Sequence, residues 1–230
     1  MACQIVHDSL HERPGWVEWF LLASNQAPAG YGAVVVSGPW RGTRTVFEFY
    51  VMPPARSQLS DLFAALVASS RATAVVAQTN DPLLAAVLPQ WCPDAATEKI
   101  VFRDAGPTAL AAPGAVLRPT AAVDRSAIFP HQREPAGDWA LMVGAQVVAT
   151  GGILRHDNPP YGDIYMEVRE DLRRRGYGSY LVQELKRVAH ESGVIPCARC
   201  DPDNLASRRT LERAGLAPCA RLVAGKLRAP

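Results

Sequence analysis

Apolar and polar residues alternate along the second half of the chain in a pattern that predicts short strands interleaved with helices. Leu181, Leu185 and Val188 follow the i, i+4, i+7 spacing of an amphipathic helix, and Gly193 is suited to ending it. Gly144 and Ala145 form a turn between two strands. The predicted elements are strands 139–143, 146–154 and 164–168, a helix 178–191, a strand 195–200 and a helix 206–214.

The first half of the chain shows the same order of predicted elements. Aligning Val51 with Val168 places Arg56 opposite Arg173, and an asparagine follows the next predicted strand in both halves. We interpret this as a degenerate tandem repeat, although two unrelated α/β segments can also be aligned in this way. The predicted elements are strands 19–24, 30–37 and 45–51, a helix 58–70, a strand 72–78 and a helix 80–88.

A segment of low charge separates the two halves. Residues 105–114 are rich in Pro, Gly and Ala, the composition of a linker. We therefore predict two domains, 1–112 and 113–230, the first a degenerate copy of the second.

Composition restricts the class of protein. Apolar residues make up 48% of the chain and charged residues 20%, which is typical of a globular protein. The net charge of +2 gives no support for nucleic-acid binding. No apolar run approaches the roughly 18 residues of a membrane helix, and residues 1–16 lack the core of a signal peptide. Five scattered cysteines suggest reduced thiols, so we expect a cytoplasmic protein without membrane contact.

The segment between the third strand and the long helix of the second half carries the most specific chemistry. It reads R-x-x-G-x-G from Arg173 to Gly178. Amides in the first turn of a helix have no intrahelical partner and attract anions, and glycines let a phosphate approach the backbone. Arg174 and Arg175 add positive charge. An ordinary helix start with a solvated basic turn is the alternative.

This segment resembles the signature motif of the GNAT superfamily of N-acetyltransferases. A dinucleotide fingerprint would need a third glycine where Leu181 stands, and the chain has no P-loop. After the next strand, Asn204 opens a helix that ends at Gly215, which is similar to the asparagine-containing helix of the family.

The resemblance implies a fold, a cofactor and a set of contacts. The implied fold is α/β (α+β), with a mixed, mostly antiparallel sheet flanked by helices. The implied cofactor is acetyl-CoA, with its pyrophosphate on the amides of the turn and its pantetheine arm beside the third strand, where two strands separate. The residues that the resemblance assigns to the cofactor are Met166, Val168, Arg173, Arg174, Arg175, Gly176, Tyr177, Gly178, Ser179, Asn204 and Ser207.

Acetyl transfer to an amine needs a base, because amines are mostly protonated at neutral pH. Glu167 immediately precedes the implied cofactor residue Val168 and is the first candidate, while Asp163 on the same strand face is the second. Either one is alternatively an ordinary solvated carboxylate.

The general acid cannot be assigned from the sequence. In many enzymes of the family a tyrosine follows the asparagine by seven residues, and here Leu211 occupies that position. Tyr177 and Tyr161 lie in a phosphate loop and a turn, respectively, and neither can be given the role.

Two other patterns in the second half, a CxxC and a group of arginines, have simple interpretations. Cys197 and Cys200 form a CxxC on a predicted strand without a second ligand pair, so we interpret them as buried thiols and assign no metal site. The arginines of the second half lack the interleaved aromatics of an RNA-binding surface. The phosphates of coenzyme A account for them more simply.

The first half departs from the motif where Leu59 and Asp61 replace the two glycines. We therefore predict that this half does not bind the cofactor and instead completes or shapes the acceptor site. The leading hypothesis is an N-acetyltransferase acting on a small-molecule, amino-acid or peptide amine. A sensor that binds acetyl-CoA without turnover is the alternative, and a partner-binding first half is a third. Assembly as a homodimer is left open.

Overall fold

The computed structural model describes residues 3–228, which form two compact units. The N-terminal unit contains residues 7–100 and 220–228, and the C-terminal unit contains residues 3–6 and 101–219. Residues 105–114, predicted to be a linker, contain no helix or strand. The boundary predicted between residues 112 and 113 stays a prediction.

The N-terminal unit contains three helices and the strands that flank them. The elements are α1 (His7–His11), β1 (Val17–Ser24), β2 (Ala27–Val35), β3 (Thr45–Val51), α2 (Leu59–Ser70), β4 (Ala74–Gln78), α3 (Pro82–Trp91), β5 (Ala96–Asp104) and, from the far end of the chain, β11 (Leu216–Lys226). The strand order is β1-β2-β3-β4-β11-β5.

Strand pairing in this unit is mixed. β1, β2 and β3 are antiparallel, β3 and β4 are parallel, and β11 returns antiparallel to β4, with Leu222 opposite Gln78. Phe49, Phe63 and Trp91 form the aromatic centre of the core, with successive ring centroids 5.0 and 5.6 Å apart. The last strand of the chain is therefore part of the N-terminal unit's sheet.

The C-terminal unit continues from β5 with five further strands and two helices. The elements after β5 are β6 (Ala115–Pro119), β7 (Trp139–Val143), β8 (Gln146–Leu154), β9 (Tyr161–Val168), α4 (Tyr177–Glu191), β10 (Ile195–Cys200), α5 (Leu205–Arg213) and the beginning of β11. The strand order is β5-β10-β9-β8-β7-β6, in which β6 to β9 are antiparallel and β9 and β10 are parallel. Helix α4 packs on β8, β9 and β10.

The predicted fold class is confirmed: each unit has a mixed, mostly antiparallel sheet flanked by helices. From β1 and from β7, the chain runs through the same order of three strands, a helix, a strand, a helix and a strand. This order agrees with the elements predicted for the two halves, except that the final strand of each was not predicted. Descent of the halves from one repeat stays a prediction.

The first described residues are attached to the C-terminal unit. The Val6 amide donates to Asp157 Oδ1 at 2.7 Å, and the Gln4 amide donates to Asn158 Oδ1 at 2.6 Å. The thiols of Cys3 and Cys197 both donate to Asp157 Oδ2, at 3.4 and 3.2 Å. Cys197 and Cys200 are both buried on β10, as the sequence predicted for this CxxC.

A buried lysine joins three elements of the C-terminal unit. Lys186 Nζ on α4 lies 2.7 Å from Asp104 Oδ1 at the end of β5. It also donates to the carbonyl oxygens of Gly106, Ala214 and Gly215 at 2.6, 3.0 and 3.1 Å. Every proton of the ammonium therefore has an acceptor, the condition under which a buried charge is tolerated.

We expect Lys186→Met to lower the free energy of unfolding by about 3 kcal/mol, because removing one member of a buried ion pair leaves the other uncompensated. Arg187→Met is the matched control, since Arg187 is the next residue but pairs with Glu184 and Glu191 at the surface. That change should cost less than about 1 kcal/mol. Urea denaturation followed by circular dichroism measures both, and equal losses would contradict the assignment.

The pH dependence of stability provides a second readout of the same variant. Burial raises the pKa of Asp104, but hydrogen bonds from Lys186, the Gly106 amide and His190 outweigh it, so the pKa lies below its ordinary value. A group with a depressed folded pKa stabilises the fold above its unfolded pKa, and this contribution is lost as pH falls through the folded pKa. The wild type should therefore lose more stability than Lys186→Met below about pH 4.

Candidate functional site

Strands β9 and β10 separate partway along their length. Their register pairs Ile195 with Tyr161 and ends at Cys197 opposite Asp163, whereas β9 continues to Val168. On its other edge, β9 remains paired with β8 as far as Val168. The backbone of 164–168 beyond the last pair therefore faces a gap, where an extended ligand can pair with a strand edge.

The turn from β9 to α4 contains two residues in the left-handed region. Arg174 has φ 64° and Gly176 has φ 87°, and between them they direct the chain into the helix. Arg173 Nε donates to the Val168 carbonyl at 3.3 Å, which ties the turn to the end of β9. Gly176 is the N-cap of α4, and no side chain caps the helix there. The first-turn amides thus lack a side-chain cap, which is the arrangement that the predicted anion site requires.

Gly178 provides close packing under this turn. A Cβ on Gly178 would lie 3.2 Å from Thr210 Cγ2 and 3.2 Å from Val168 Cγ2. A larger side chain would therefore fill the space between β9, α4 and α5. The absence of a Cβ keeps the helix start accessible, as the motif requires.

One cleft of about 860 Å³ is lined by the turn, by the end of β9 beside the gap and by the start of α5. Two of the predicted site residues, Arg175 and Asp163, do not line it. The predicted residues that line it are Met166, Glu167, Val168, Arg173, Arg174, Gly176, Tyr177, Gly178, Ser179, Asn204 and Ser207.

Helix α5 supplies both a cap and positive charge to the cleft. Asn204 is the N-cap, and its Oδ1 accepts from the Ser207 amide at 3.0 Å, which leaves the carboxamide NH₂ outside this bond. Arg209 and Arg213 are one helical turn apart and also line the cleft. Neither arginine is among the site residues predicted from the sequence. Arg173 and Arg174, from the turn before α4, line the cleft as well.

Glu167 is held by a segment that the sequence did not indicate. Its carboxylate accepts hydrogen bonds from the amides of Gln132, Arg133 and Glu134 at 3.0, 3.1 and 3.2 Å. Burial raises the pKa of Glu167, but these three amides outweigh it, and the pKa lies below its ordinary value. A carboxylate has about four acceptor positions, so one stays available. The side chain is thus both an anchor for residues 132–134 and a weak base.

Asp163 lies in an ion-pair cluster away from the cleft. Its Oδ2 is 3.1 Å from Arg199 Nε and 3.1 Å from His156 Nε2, and the side chain is buried. These contacts satisfy the carboxylate and favour a structural role over proton transfer. The catalytic assignments of Glu167 and Asp163 both stay predictions.

Leu211 occupies the position of the family's usual tyrosine and is only 3% exposed. It belongs to the packed side of α5, so it offers neither a proton nor contact with the cleft. Tyr177 lines the cleft, whereas Tyr161 begins β9 outside it. The structure therefore leaves the general acid unassigned, as the sequence did.

The equivalent turn of the N-terminal unit differs in both glycine positions. Leu59 begins α2, and Asp61 places a carboxylate in its first turn. A negative charge there interacts favourably with the helix dipole and opposes a phosphate. These features agree with the prediction that this unit does not bind the cofactor, which itself stays a prediction.

The N-terminal unit exposes a row of apolar side chains on β1 to β3. Trp19 is 58% and Leu21 is 77% exposed. Trp19, Tyr31 and Tyr50 form a chain of ring contacts with centroids 5.6 and 5.7 Å apart. An exposed apolar patch of this kind favours the partner-binding hypothesis for the first half. No helix within residues 3–228 is both long and apolar enough to span a membrane.

Comparison with known proteins identifies the C-terminal unit's relatives. Residues 109–216 match the family model described as the acetyltransferase (GNAT) family. This range contains the turn, the gap beside β9 and α5. No curated protein sequence matches the chain.

Solved structures share the fold at low sequence identity. A GNAT-family acetyltransferase from Colwellia psychrerythraea has a TM-score of 0.70 and 14% identity, covering 91% of this chain and 85% of its own. A tandem GNAT protein from the clavulanic acid biosynthesis pathway has a TM-score of 0.58 and 14% identity, with coverages of 95% and 86%. A GCN5-related N-acetyltransferase from Sphaerobacter thermophilus has a TM-score of 0.56 and 16% identity, with coverages of 92% and 81%.

Proposed function

We propose that the chain transfers the acetyl group of acetyl-CoA to a primary amine, because residues 109–216 match the family model of the GNAT acetyltransferases. The acceptor is a small molecule, an amino acid or a peptide. The observation that supports the proposal most strongly is the cleft, because the uncapped start of α4, the free edge of β9 and Asn204 all border it.

The chemistry of the cleft fits acetyl-CoA. The amides of residues 177–179, with Arg173 and Arg174 beside them, match the charge and acceptor geometry of a diphosphate. Arg209 and Arg213 offer positive charge for a further phosphate. The edge of β9 at 164–168 that faces the gap can pair with the amides of a pantetheine arm, and the Asn204 carboxamide can donate to it from α5.

Each residue of the site would hold or orient a reacting group. When bound, acetyl-CoA supplies an activated thioester. A main-chain N–H near Val168 would polarise the acetyl carbonyl by a hydrogen bond. Glu167, through its remaining acceptor position, would accept a proton from the incoming ammonium, directly or through water. Residues 132–134, fixed by the same carboxylate, would form the wall against which the amine is placed.

Steady-state release of coenzyme A thiol across a panel of amines tests the proposal. We expect release that depends on both acetyl-CoA and a particular amine. Two observations favour a second candidate, a sensor that binds acetyl-CoA without turnover. Leu211 is buried at the position where many enzymes of the family have a tyrosine, and Glu167 already accepts hydrogen bonds from three backbone amides. Binding of acetyl-CoA without thiol release for any amine would support the sensor and reject the transferase.

The pH dependence of kcat/KM should reflect the weak base. Because the pKa of Glu167 is lowered, this carboxylate is ionised throughout the neutral range and contributes no bend there. We expect log kcat/KM to rise with pH until the pKa of the acceptor amine itself. Glu167→Gln should reduce kcat on the order of 100-fold, the usual contribution of a positioned base. A bend between pH 6 and 8 that disappears only in Glu167→Gln would contradict a lowered pKa.

A matched control separates proton transfer from anchoring of residues 132–134. Asp163→Asn alters a neighbouring carboxylate on the same strand that does not line the cleft. We expect Asp163→Asn to retain the acetyl-CoA affinity and most of kcat. An equal fall in kcat for both variants would show that strand integrity, and not the Glu167 carboxylate, limits the rate.

A further inference from the structure

Two histidines and a glutamate meet in the N-terminal unit, far in sequence from the GNAT domain. His7 and His11 lie one turn apart at the two ends of α1, and Glu48 on β3 lies against both. His7 Nε2 is 2.8 Å from Glu48 Oε1, and His11 Nε2 is 3.3 Å from Glu48 Oε2. We call these three residues the His/Glu cluster.

Several polar atoms of the His/Glu cluster are buried without a partner. Glu48 has a side chain only 7% exposed. Its Oε2 atom and both ring nitrogens of His11 make no hydrogen bond within the part of the chain that the structure describes. Buried polar groups almost always have a hydrogen-bond or ligand partner, so we expect these three atoms to have one.

An ion pair between the glutamate and protonated histidines explains only part of this arrangement. It accounts for His7, which is within hydrogen-bonding distance of Glu48 Oε1. It leaves His11 Nε2 and Glu48 Oε2 facing each other at 3.3 Å without an acceptable hydrogen bond. An atom that binds both a ring nitrogen and a carboxylate oxygen would satisfy them together.

The 3.3 Å between His11 Nε2 and Glu48 Oε2 matches the ligand spacing around a small cation, and the 2.8 Å between His7 Nε2 and Glu48 Oε1 is shorter than that spacing. Zinc binds histidine nitrogen and carboxylate oxygen at about 2.0–2.2 Å, which puts tetrahedral ligand atoms about 3.3 Å apart. One ligand atom from each of the three residues lies within 4.8 Å of the others. Two histidines and one carboxylate form a common zinc ligand set, and a fourth position then stays open to water.

The surroundings of the His/Glu cluster fix the ligands as metal sites require. Asp8 Oδ1 lies 2.9 Å from His7 Nδ1, so it can hold that proton and direct the Nε2 lone pair towards the cluster. The His11 ring stacks on Trp19 at 4.7 Å between centroids and contacts Phe47 at 5.3 Å. A carboxylate that holds the far nitrogen of a ligand histidine, and apolar rings around the ligands, are both typical of the surroundings of a bound metal.

We propose that His7, His11 and Glu48 bind a divalent transition-metal ion, with Zn²⁺ as the first candidate. The ion joins α1 to β3 and satisfies the buried oxygen and nitrogen atoms that otherwise lack partners. Metal binding thereby stabilises the start of the N-terminal unit, and the open position allows a water molecule or an external ligand to bind.

Isothermal titration of the chelator-treated full-length protein with Zn²⁺ tests this proposal. We expect binding of one ion at the His/Glu cluster and a higher melting temperature with metal. Glu48→Gln keeps the shape of the side chain but loses its charge, and it should weaken binding on the order of 100-fold. His11→Ala should weaken binding similarly, and Asp8→Asn about 10-fold.

The controls address the chain's other potential ligands. Cys3, Asp157 and Cys197 form a second group whose ligand atoms lie within 4.8 Å of one another. Cys197→Ser should therefore keep the high-affinity binding, as should His190→Ala, which alters an exposed histidine that also pairs with an aspartate. Co²⁺ loading should give a visible spectrum without thiolate charge-transfer bands.

Three results would overturn the proposal. One is the absence of Zn²⁺ binding to the wild type at micromolar concentrations. Another is wild-type affinity in Glu48→Gln, with circular dichroism showing that the variant is folded. The third is loss of binding in Cys197→Ser together with thiolate-to-cobalt absorption, which would place the metal at the cysteines instead.

Discussion

The variant Gly176→Asp is expected to lose affinity for coenzyme A on the order of 100-fold while remaining folded. Gly176 is the N-cap of α4 and borders the cleft. An aspartate there places a negative charge beside the first-turn amides, where it repels the diphosphate. Each charge-assisted hydrogen bond contributes about 1.5–3 kcal/mol, so loss of one or two corresponds to this change in affinity, since about 1.4 kcal/mol is tenfold.

The fold should tolerate this substitution. Gly176 has φ 87°, and a Cβ built there meets no atom within 4 Å. Non-glycine residues in the left-handed region cost about 1 kcal/mol or somewhat more, and aspartate is among those that adopt it most readily. A negative charge beside the start of a helix offsets part of this cost, by about 0.3–1 kcal/mol. Loss of binding in Gly176→Asp would therefore reflect the site and not unfolding.

Gly193 provides a matched control at the opposite end of the same helix. It also has a positive φ, 71°, and a Cβ there would likewise meet nothing within 4 Å. Gly193→Asp introduces the same side chain and similar strain, but at the end of α4 where a negative charge is unfavourable. We expect a small loss of stability and wild-type affinity for coenzyme A, measured by isothermal titration. Equal affinities for the two variants would contradict the assigned phosphate site.

Removing every residue after Cys219 is expected to unfold the N-terminal unit selectively. Residues 222–226 of β11 pair with β4 along five register positions. Further bonds run from the Thr79 amide to the Arg221 carbonyl and from the Leu227 amide to the Thr73 carbonyl, at 2.9 Å each. Val223 of β11 is buried in the same core. At about 1 kcal/mol per hydrogen bond, the loss is on the order of 5 kcal/mol, comparable to the whole stability of many domains.

Hydrogen exchange measured by mass spectrometry locates this effect. The truncated chain should lose protection in β3, β4 and α2, which belong to the N-terminal unit. Arg221→Ala is the control, because it removes an exposed side chain and leaves the backbone of β11 in place. Unchanged protection of β4 in the truncated chain would show that the unit does not depend on the last strand.

Strands with strong local patterns were predicted well from the sequence. The bounds 45–51, 139–143, 146–154 and 195–200 agree with β3, β7, β8 and β10. The predicted helix 178–191 differs from α4 by only one residue, at its start. The agreement is close because the apolar stripe and Gly193 define the helix locally. In such segments the spacing of apolar residues and the turn glycines contain most of the information.

The strands that were not predicted, β5, β6 and β11, obtain their stability from distant partners. β11 contains Pro218 and Gly225, which interrupt a strand pattern, yet it pairs with β4 about 150 positions earlier in the chain. β5 carries four charged residues within nine positions, and β6 ends at Pro119 close to the predicted linker. None of these segments shows an alternation that would predict a strand from its own residues.

In the candidate site too, the features formed by neighbouring residues were predicted and those formed by distant residues were not. The turn from Arg173 to Gly178 is contiguous in sequence, so its chemistry was visible without a structure. The contact of Glu167 with residues 132–134 spans about 35 positions, and no local pattern indicates it. The His/Glu cluster joins residues about 40 positions apart and was likewise invisible. The motif is therefore visible in the sequence, whereas the contacts that set the chemistry of its neighbours appear only in the fold.

A crystal structure of the full chain with coenzyme A tests the central claim most directly. The account predicts the diphosphate oxygens within about 3 Å of the amides of residues 177–179, with the pantetheine arm along 164–168. A diphosphate bound elsewhere, or a turn whose amides are occupied by the chain itself, would contradict it.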